Sequence, residues 1–253
     1  MSHADRFSNF PARFYLDKYY ARVGVENEAF MLAVAESVQT VDELGTVVEL
    51  GGGPSMCGMF AMTAATRSGP ERVVWVDVGA PNLDEIAAWL RNAPEAFDYT
   101  EILGWLADAF EVDPAKVAER LRGAVWEMRR TDLWHGLPGD LRGAADIVGS
   151  YFLAESATGN EQGFVELTSR VVDAASPGAR VALAYIRRSG PYRLDDATLH
   201  PAVAVDEDSL PRLLDAAGLR FADMEIRRGP REDPPARPGY DGMVFVSGRL
   251  AVL

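Results

Sequence analysis

Lysine occurs in this chain only as Lys18 and Lys116, and acidic residues outnumber basic ones by 38 to 25, a net charge of −13 over 253 residues. Sequence-independent nucleic-acid binding depends on neutralising phosphates with Lys and Arg, so that class of function is disfavoured and a small-molecule substrate suits the chain better. One cysteine, Cys57, excludes an internal disulfide and reads as a small buried helix residue. Three scattered histidines, His3, His135 and His200, offer no metal-ligand spacing. No apolar run of about 18 residues is present, and the start Met1-Ser2-His3-Ala4-Asp5 lacks the basic-then-apolar pattern of a signal peptide. A soluble cytoplasmic protein with no membrane partner is the expectation. Internal repeats and low-complexity tracts are also missing. Plentiful Ala, Arg, Asp and Gly beside so little lysine suggests a GC-rich bacterial gene. Apolar residues make up 48% of the chain, enough for a substantial core, and a single domain over residues 1–253 is expected.

The most informative stretch is Val47-Val48-Glu49-Leu50-Gly51-Gly52-Gly53-Pro54-Ser55. β-forming residues run into three glycines, and Met56 to Thr66 has the composition of a helix: strand, tight turn, helix start. Without Cβ atoms the turn lets backbone approach a ligand closely. A dinucleotide fingerprint would need a third glycine where Met56 stands, and a P-loop would need a lysine that is not there. The acid Glu49 enters the turn, where it would repel phosphate and suit a cationic ligand. A second strand, Arg72 to Asp77, ends in a carboxylate placed to accept hydrogen bonds from ribose hydroxyls. S-adenosylmethionine (SAM) carries a ribose, an ammonium and a sulfonium, and no phosphate. Removing the Asp77 carboxylate should then weaken SAM binding and leave the fold intact.

Around this turn the chain reads as helix and strand in alternation. An aromatic arm over residues 1–14, carrying Phe7, Phe10 and Phe14, leads into a helical segment with Tyr15 and Tyr19 one turn apart, and a helix from Glu26 to Val38 should cover the sheet. Asn82 to Leu90 reads as a helix capped by Asn82 with Glu85 as its capping-box partner. Residues 92–124 contain no convincing strand; helices over Ala96–Ala109 and Pro114–Trp126 form an insertion between the second and third strands. The third strand is expected over Val125–Leu133 and the fourth over Ala145–Phe152, whose apolar run suits a buried parallel strand. Tyr151, Phe152 and Glu155 at its carboxyl end are candidates for the substrate site. A helix from Gln162 to Ala175 and a fifth strand from Arg180 to Ile186 follow. After a helix over Asp208–Ala217 come two strands, Arg220–Arg227 and Gly242–Gly248, with no helix between them and therefore antiparallel.

Four pieces of sequence are similar to one family. They are Tyr15-Leu16-Asp17-Lys18-Tyr19-Tyr20, Glu49 to Ser55, Asp77 followed by Asn82-Leu83 and Trp89-Leu90, and Pro94-Glu95-Ala96-Phe97-Asp98. The chain resembles the SAM-dependent small-molecule methyltransferases of the nicotinamide, phenylethanolamine and thioether group over residues 10–250. The resemblance implies an α/β, class I Rossmann-like fold: a seven-stranded sheet with an antiparallel last strand, N-terminal helices acting as a lid over residues 1–40, and the insertion. It further implies SAM, leaving as S-adenosylhomocysteine (SAH), held by Tyr15, Tyr20, the backbone at Gly51 and Gly53, Ser55, Asp77 and Asn82, with Asp132 and Leu133 near the adenine. Where nicotinamide methyltransferases carry acids after the fourth and fifth strands, this chain has Glu155 and Tyr185, which puts nicotinamide itself in question. Tyr192 matches a family tyrosine that lines the acceptor pocket.

An aromatic or heteroaromatic acceptor is expected, methylated at an amine, a ring nitrogen or an indole carbon in bacterial natural-product biosynthesis. Displacement at a sulfonium needs alignment and dry surroundings more than acid or base help. Where the acceptor carries a proton, Glu155 is the first candidate base, with Tyr185 and Tyr192 as orienting groups. Two other readings compete: a nicotinamide-dependent oxidoreductase, and a SAM-binding protein without catalysis.

Overall fold

A computed structural model describes residues 7–41, 43–193, 199–233, 235 and 239–252; the first six residues of the aromatic arm lie outside that set. Seven strands form one sheet in the order β3-β2-β1-β4-β5-β9-β8. They are β1 (Thr46–Leu50), β2 (Arg72–Asp77), β3 (Val125–Arg130), β4 (Ala145–Tyr151), β5 (Ala175–Ile186), β8 (Glu225–Arg228) and β9 (Met243–Arg249). The first five strands are parallel, and β9 runs antiparallel to both β5 and β8. Strand order reverses between β1 and β4, which opens a crevice at their carboxyl ends.

Alternation along the central strands builds two cores. Val47, Val73, Trp75, Ile147 and Ala184 face helices α1 (Ala12–Tyr19), α2 (Val25–Val38), α3 (Cys57–Ala65) and α4 (Ala80–Leu90). Val48, Leu50, Val74, Val148, Val181 and Leu183 face the other way. A strand buried on both sides reads as an unbroken apolar run, and each large aliphatic contributes about 1.5–3 kcal/mol by leaving water. The insertion consists of α5 (Thr100–Phe110) and α6 (Pro114–Gly123), with Asp113 accepting from the Ala115 N–H at 2.9 Å as the cap of α6. Ile102, Leu106 and Leu121 seat both helices on the first core. The second core is closed by α7 (Ala154–Ala157), α8 (Glu161–Ala174) and α9 (Leu210–Ala216), mainly through Phe164, Leu167, Val171, Leu210 and Leu213.

Several boundaries differ from the sequence expectation. β3 ends at Arg130, and a 3₁₀ turn over Leu133–His135 follows it. α5 begins at Thr100, four residues later than its composition suggests. β5 begins at Ala175, with a register shift against β4 between Ala145 and Ile147. A short hairpin, β6 (Tyr192–Arg193) with β7 (Leu199–His200), was not foreseen, because strands of two residues carry no periodicity.

Beyond β5 the backbone is tied down by Arg187, which is 2% exposed. Its guanidinium grips Glu207 at 2.6 and 2.8 Å and also meets Asp241, so one side chain joins the end of β5 to the turn before α9 and the loop before β9. The paired guanidinium pulls the Glu207 carboxyl down to about 2. A depressed carboxylate contributes stability above its ordinary titration range and loses it as pH falls towards the folded value. Arg187→Met leaves Glu207 without its ion pair and Asp241 with only the longer contacts to Arg228 and Arg188, and is expected to cost about 1–3 kcal/mol, because those acids stay partly in water. Urea unfolding at pH 7 and pH 3 measures it. The gap between wild type and variant should shrink at the lower pH, and a constant gap would remove the ion-pair explanation.

Candidate active site

The glycine turn sits at the carboxyl end of β1 and is held from two sides. Gly51 donates its N–H to Val76 O at 2.7 Å, and Trp75 Nε1–H donates to Gly53 O at 3.1 Å. Gly51 has φ +65°, and a Cβ there would lie 2.5 Å from the Leu153 side chain. At Gly52 a Cβ would meet the Trp75 ring at 2.5 Å. Only glycine satisfies both positions. Tyr99 braces the next residues, donating its hydroxyl to Pro54 O at 3.0 Å and accepting from Met56 N–H at 3.3 Å.

Asp77 is the hub. Its Oδ2 accepts the Gly53 N–H at 2.9 Å, and its Oδ1 accepts the Gly79 N–H at 2.7 Å and Asn82 Nδ2–H at 3.0 Å. Burial pushes its pKa up, and these donors pull it back. Asn82 is therefore not the helix cap: α4 starts at Ala80 behind Gly79, and Glu85 bonds Arg13 instead. Asn82 Oδ1 is buried with no partner among the described residues. The carboxylate thus braces the turn and α4, which corrects the expectation that its removal leaves the fold untouched.

These groups open onto a cavity of about 500 Å³. Its wall includes Tyr15, Tyr20, Gly51, Gly53, Ser55, Asp77, Asn82, Asp132, Leu133 and Tyr192. Tyr15 packs against Tyr19 at 4.9 Å and Tyr20 at 5.7 Å, and burial raises the Tyr20 hydroxyl. Asp132 accepts from the Trp134 N–H at 3.0 Å, which turns the chain after β3 and brings Leu133 to the wall. Tyr192 donates to Ser156 O at 3.3 Å and stacks on His200 at 5.1 Å.

Three expected site residues do not line this cavity. Tyr185 precedes the wall residue Ile186 on β5, and strand alternation turns it to the second core against Phe164, at 5.2 Å. Burial there pushes its hydroxyl up. Glu155 is fully buried, and its Oε1 accepts the Ile186 N–H at 2.9 Å and the Ser156 hydroxyl at 3.2 Å, so it ties α7 to the end of β5. Glu49 lies under the turn, 1% exposed, with neither oxygen partnered among the described residues. Burial drives its pKa well up, which disfavours the charged form that would attract a cation. Cys57 is likewise sealed in, its thiol pushed up to about 12 by burial.

Other wall residues carried no functional signal in the sequence. Glu26 reads as a first-turn helix acid, Phe30 as a core residue of α2, and Tyr240 as part of an irregular loop; all three face the cavity. Tyr151 and Phe152, expected at the substrate site, line it too, Phe152 from a left-handed backbone at φ +59°. No group of three metal-ligating side chains occurs among the described residues, and none of their helices is long and apolar enough to cross a membrane.

A seven-stranded sheet with an antiparallel β9, a glycine turn at the strand-order switch and a carboxylate at the tip of β2 define the class I, Rossmann-like methyltransferase fold. The chain belongs to the NNMT/PNMT/TEMT family, a family of SAM-dependent methyltransferases, whose profile matches residues 1–249. Human nicotinamide N-methyltransferase is 29% identical to it over 140 residues, which cover 52% of each chain. The chain thus spans about half the length of the curated relatives it matches. Among solved structures, the CcbJ methyltransferase of Streptomyces caelestis superposes with a TM-score of 0.59 at 12% identity, covering 99% of this chain and 100% of that one. A Burkholderia thailandensis 1,6-didemethyltoxoflavin-N1-methyltransferase, with bound 1,6-didemethyltoxoflavin and SAH, gives 0.50 at 15% identity, covering 89% and 80%.

Proposed function

We propose that this protein transfers a methyl group from SAM to a small aromatic or heteroaromatic acceptor, as a single domain over residues 1–253 in which residues 1–40 act as a lid. The observation that carries the reading is Asp77 with the unpartnered Asn82 Oδ1 in the cavity wall. Together they offer acceptors to a pair of donating hydroxyls, which is what a ribose presents. Tyr15, Tyr20 and Ser55 would hold the amino-acid end, the backbone at Gly51 and Gly53 would allow close approach, and Asp132 with Leu133 would flank the adenine. Bound there, SAM would supply an electrophilic methyl and leave as SAH.

The chain's own task is then alignment and the exclusion of water. Phe30, Phe152, Ile186 and Met243 give the cavity an apolar wall suited to an aromatic acceptor. Tyr192 would orient the acceptor from the β6–β7 hairpin. A role in bacterial natural-product chemistry in the cytoplasm, on a small-molecule substrate with neither nucleic acid nor membrane as partner, fits this reading. Calorimetric titration with SAH, and separately with NADH, tests it. Binding of SAH alone is expected; binding of NADH alone would restore the oxidoreductase reading, and binding of neither would remove both. SAH binding without methyl transfer to any aromatic amine or indole would leave a non-catalytic SAM-binding protein.

A further inference from the structure

We propose that Glu26, hydrogen-bonded to Tyr240 in the cavity wall, is the proton acceptor for methyl transfer to acceptors that arrive as ammonium ions. The inference rests on the methyl-transfer reading above and narrows its substrate class.

Glu155, the obvious candidate base, lies behind the wall. Among the described residues, the wall carboxylates apart from Asp77 and Asp132 are Glu26 and Glu232. Glu26 is 7% exposed and stands in the first turn of α2. Its Oε1 accepts the Tyr240 hydroxyl at 2.7 Å and the Glu232 N–H at 3.1 Å. In return Glu232 Oε1 accepts the Glu26 N–H at 3.3 Å. These reciprocal bonds fix the carboxylate between α2 and the loop before β9.

One turn further along α2, Phe30 shares the face of Glu26. Its ring packs on Tyr151 at 4.9 Å and on Phe152 at 5.4 Å. Tyr151 ends β4 and Phe152 follows it, at the sheet edge where ligands of open α/β folds sit. A carboxylate one helical turn from an aromatic wall matches a molecule with an ammonium at one end and an aromatic ring at the other. The net charge of −13 favours the approach of such cations.

An ammonium has no electron pair to give, so it must lose a proton first. The N–H bond breaks, the proton forms an O–H bond on the Glu26 carboxylate, and the electron pair remains on nitrogen. That pair then makes the N–C bond to the methyl as the C–S bond breaks, and the C–S pair stays on sulfur. The proton on Glu26 leaves to solvent at the cavity mouth. The Tyr240 hydroxyl stabilises the charged carboxylate between turnovers.

Glu26→Gln is the test, because its amide oxygen can still accept from Tyr240 and Glu232 while it cannot take a proton. SAH-saturated protein is titrated with phenethylammonium and with 2-phenylethanol, its neutral counterpart. The wild type is expected to prefer the cation by about tenfold or more, the variant by less than about threefold, with SAH affinity equal in the two. Methyl transfer to phenethylamine should fall about 10²–10⁴-fold in the variant. Tyr240→Phe keeps the carboxylate but removes a donor to its charged form, so the acid limb of its kcat/KM profile should move to higher pH. A wild type without cation preference, or a Glu26→Gln variant with undiminished preference or transfer rate, overturns the proposal. Loss of SAH binding by the wild type would instead strike the methyl-transfer reading.

Discussion

Replacing Asp77 by alanine is expected to lower the affinity for SAH by two orders of magnitude or more. Two hydrogen bonds from ribose hydroxyls to a buried carboxylate are each worth about 1.5–3 kcal/mol, and every 1.4 kcal/mol is a factor of ten. The same change removes the acceptor for the Gly53 and Gly79 N–H groups and for Asn82 Nδ2–H. A buried donor left without a partner costs about 1–3 kcal/mol, so the melting temperature should also fall by several degrees. Calorimetry with SAH separates the two effects when paired with thermal melts. Asp77→Asn retains one acceptor oxygen and should fall between the wild type and alanine in both measurements. Unchanged SAH affinity in a folded Asp77→Ala protein would remove the ribose assignment, whatever the melting temperature did.

The second large effect concerns Glu49 and pH. Both of its carboxylate oxygens are buried without a partner among the described residues, and so is the hydroxyl of Tyr151. Burial raises both groups well above their ordinary values, and the nearby Glu49 charge would raise Tyr151 further. Gly149 leaves these two side chains their room: a Cβ there would collide with Glu49 Oε2 and lie 3.1 Å from the Tyr151 hydroxyl. A folded value raised above the unfolded one means that the native state binds this proton more tightly than the unfolded chain does. With more protons bound in the native state, stability falls as pH rises, by about 1.4 kcal/mol per pH unit until the folded value is reached. Glu49→Gln removes that proton linkage. Urea unfolding from pH 5 to pH 8 should show a shallower decline for the variant, which becomes the more stable of the two at the alkaline end. Parallel curves for the two proteins would show that Glu49 is ionised in the fold.

Much of the architecture was legible from local pattern. Apolar runs such as Val73 to Val76 and Ile147 to Val148 can only be buried on both faces, so a parallel sheet followed from them. The triple glycine and the acid ending β2 placed the ligand crevice before any contact was known. Tyr15, Ser55, Asp77, Asn82, Asp132 and Leu133 lie far apart in the chain, yet the structure brings all of them to one cavity wall. Their positions follow from strand ends and helix starts, which short-range sequence signals mark well.

What the sequence could not supply was direction and company. Strand parity turned Tyr185 away from the cavity while its neighbour Ile186 faces it, and a register slip of one residue in the reading inverts such an assignment. Glu155 and Glu49 read as charged site residues because acids at strand ends usually meet solvent or ligand. Their burial depends on α7 folding back onto β5 and on Trp75 and Tyr151 closing over the turn, contacts between segments tens of residues apart. Glu26 and Tyr240 are separated by 214 positions and meet at 2.7 Å. The sequence by itself determined which strands and turns form and where the crevice opens, since those depend on near-neighbour sterics and on hydrophobic periodicity. Only the tertiary structure decided which carboxylates face the cavity, because burial and hydrogen-bond partners belong to the packed chain.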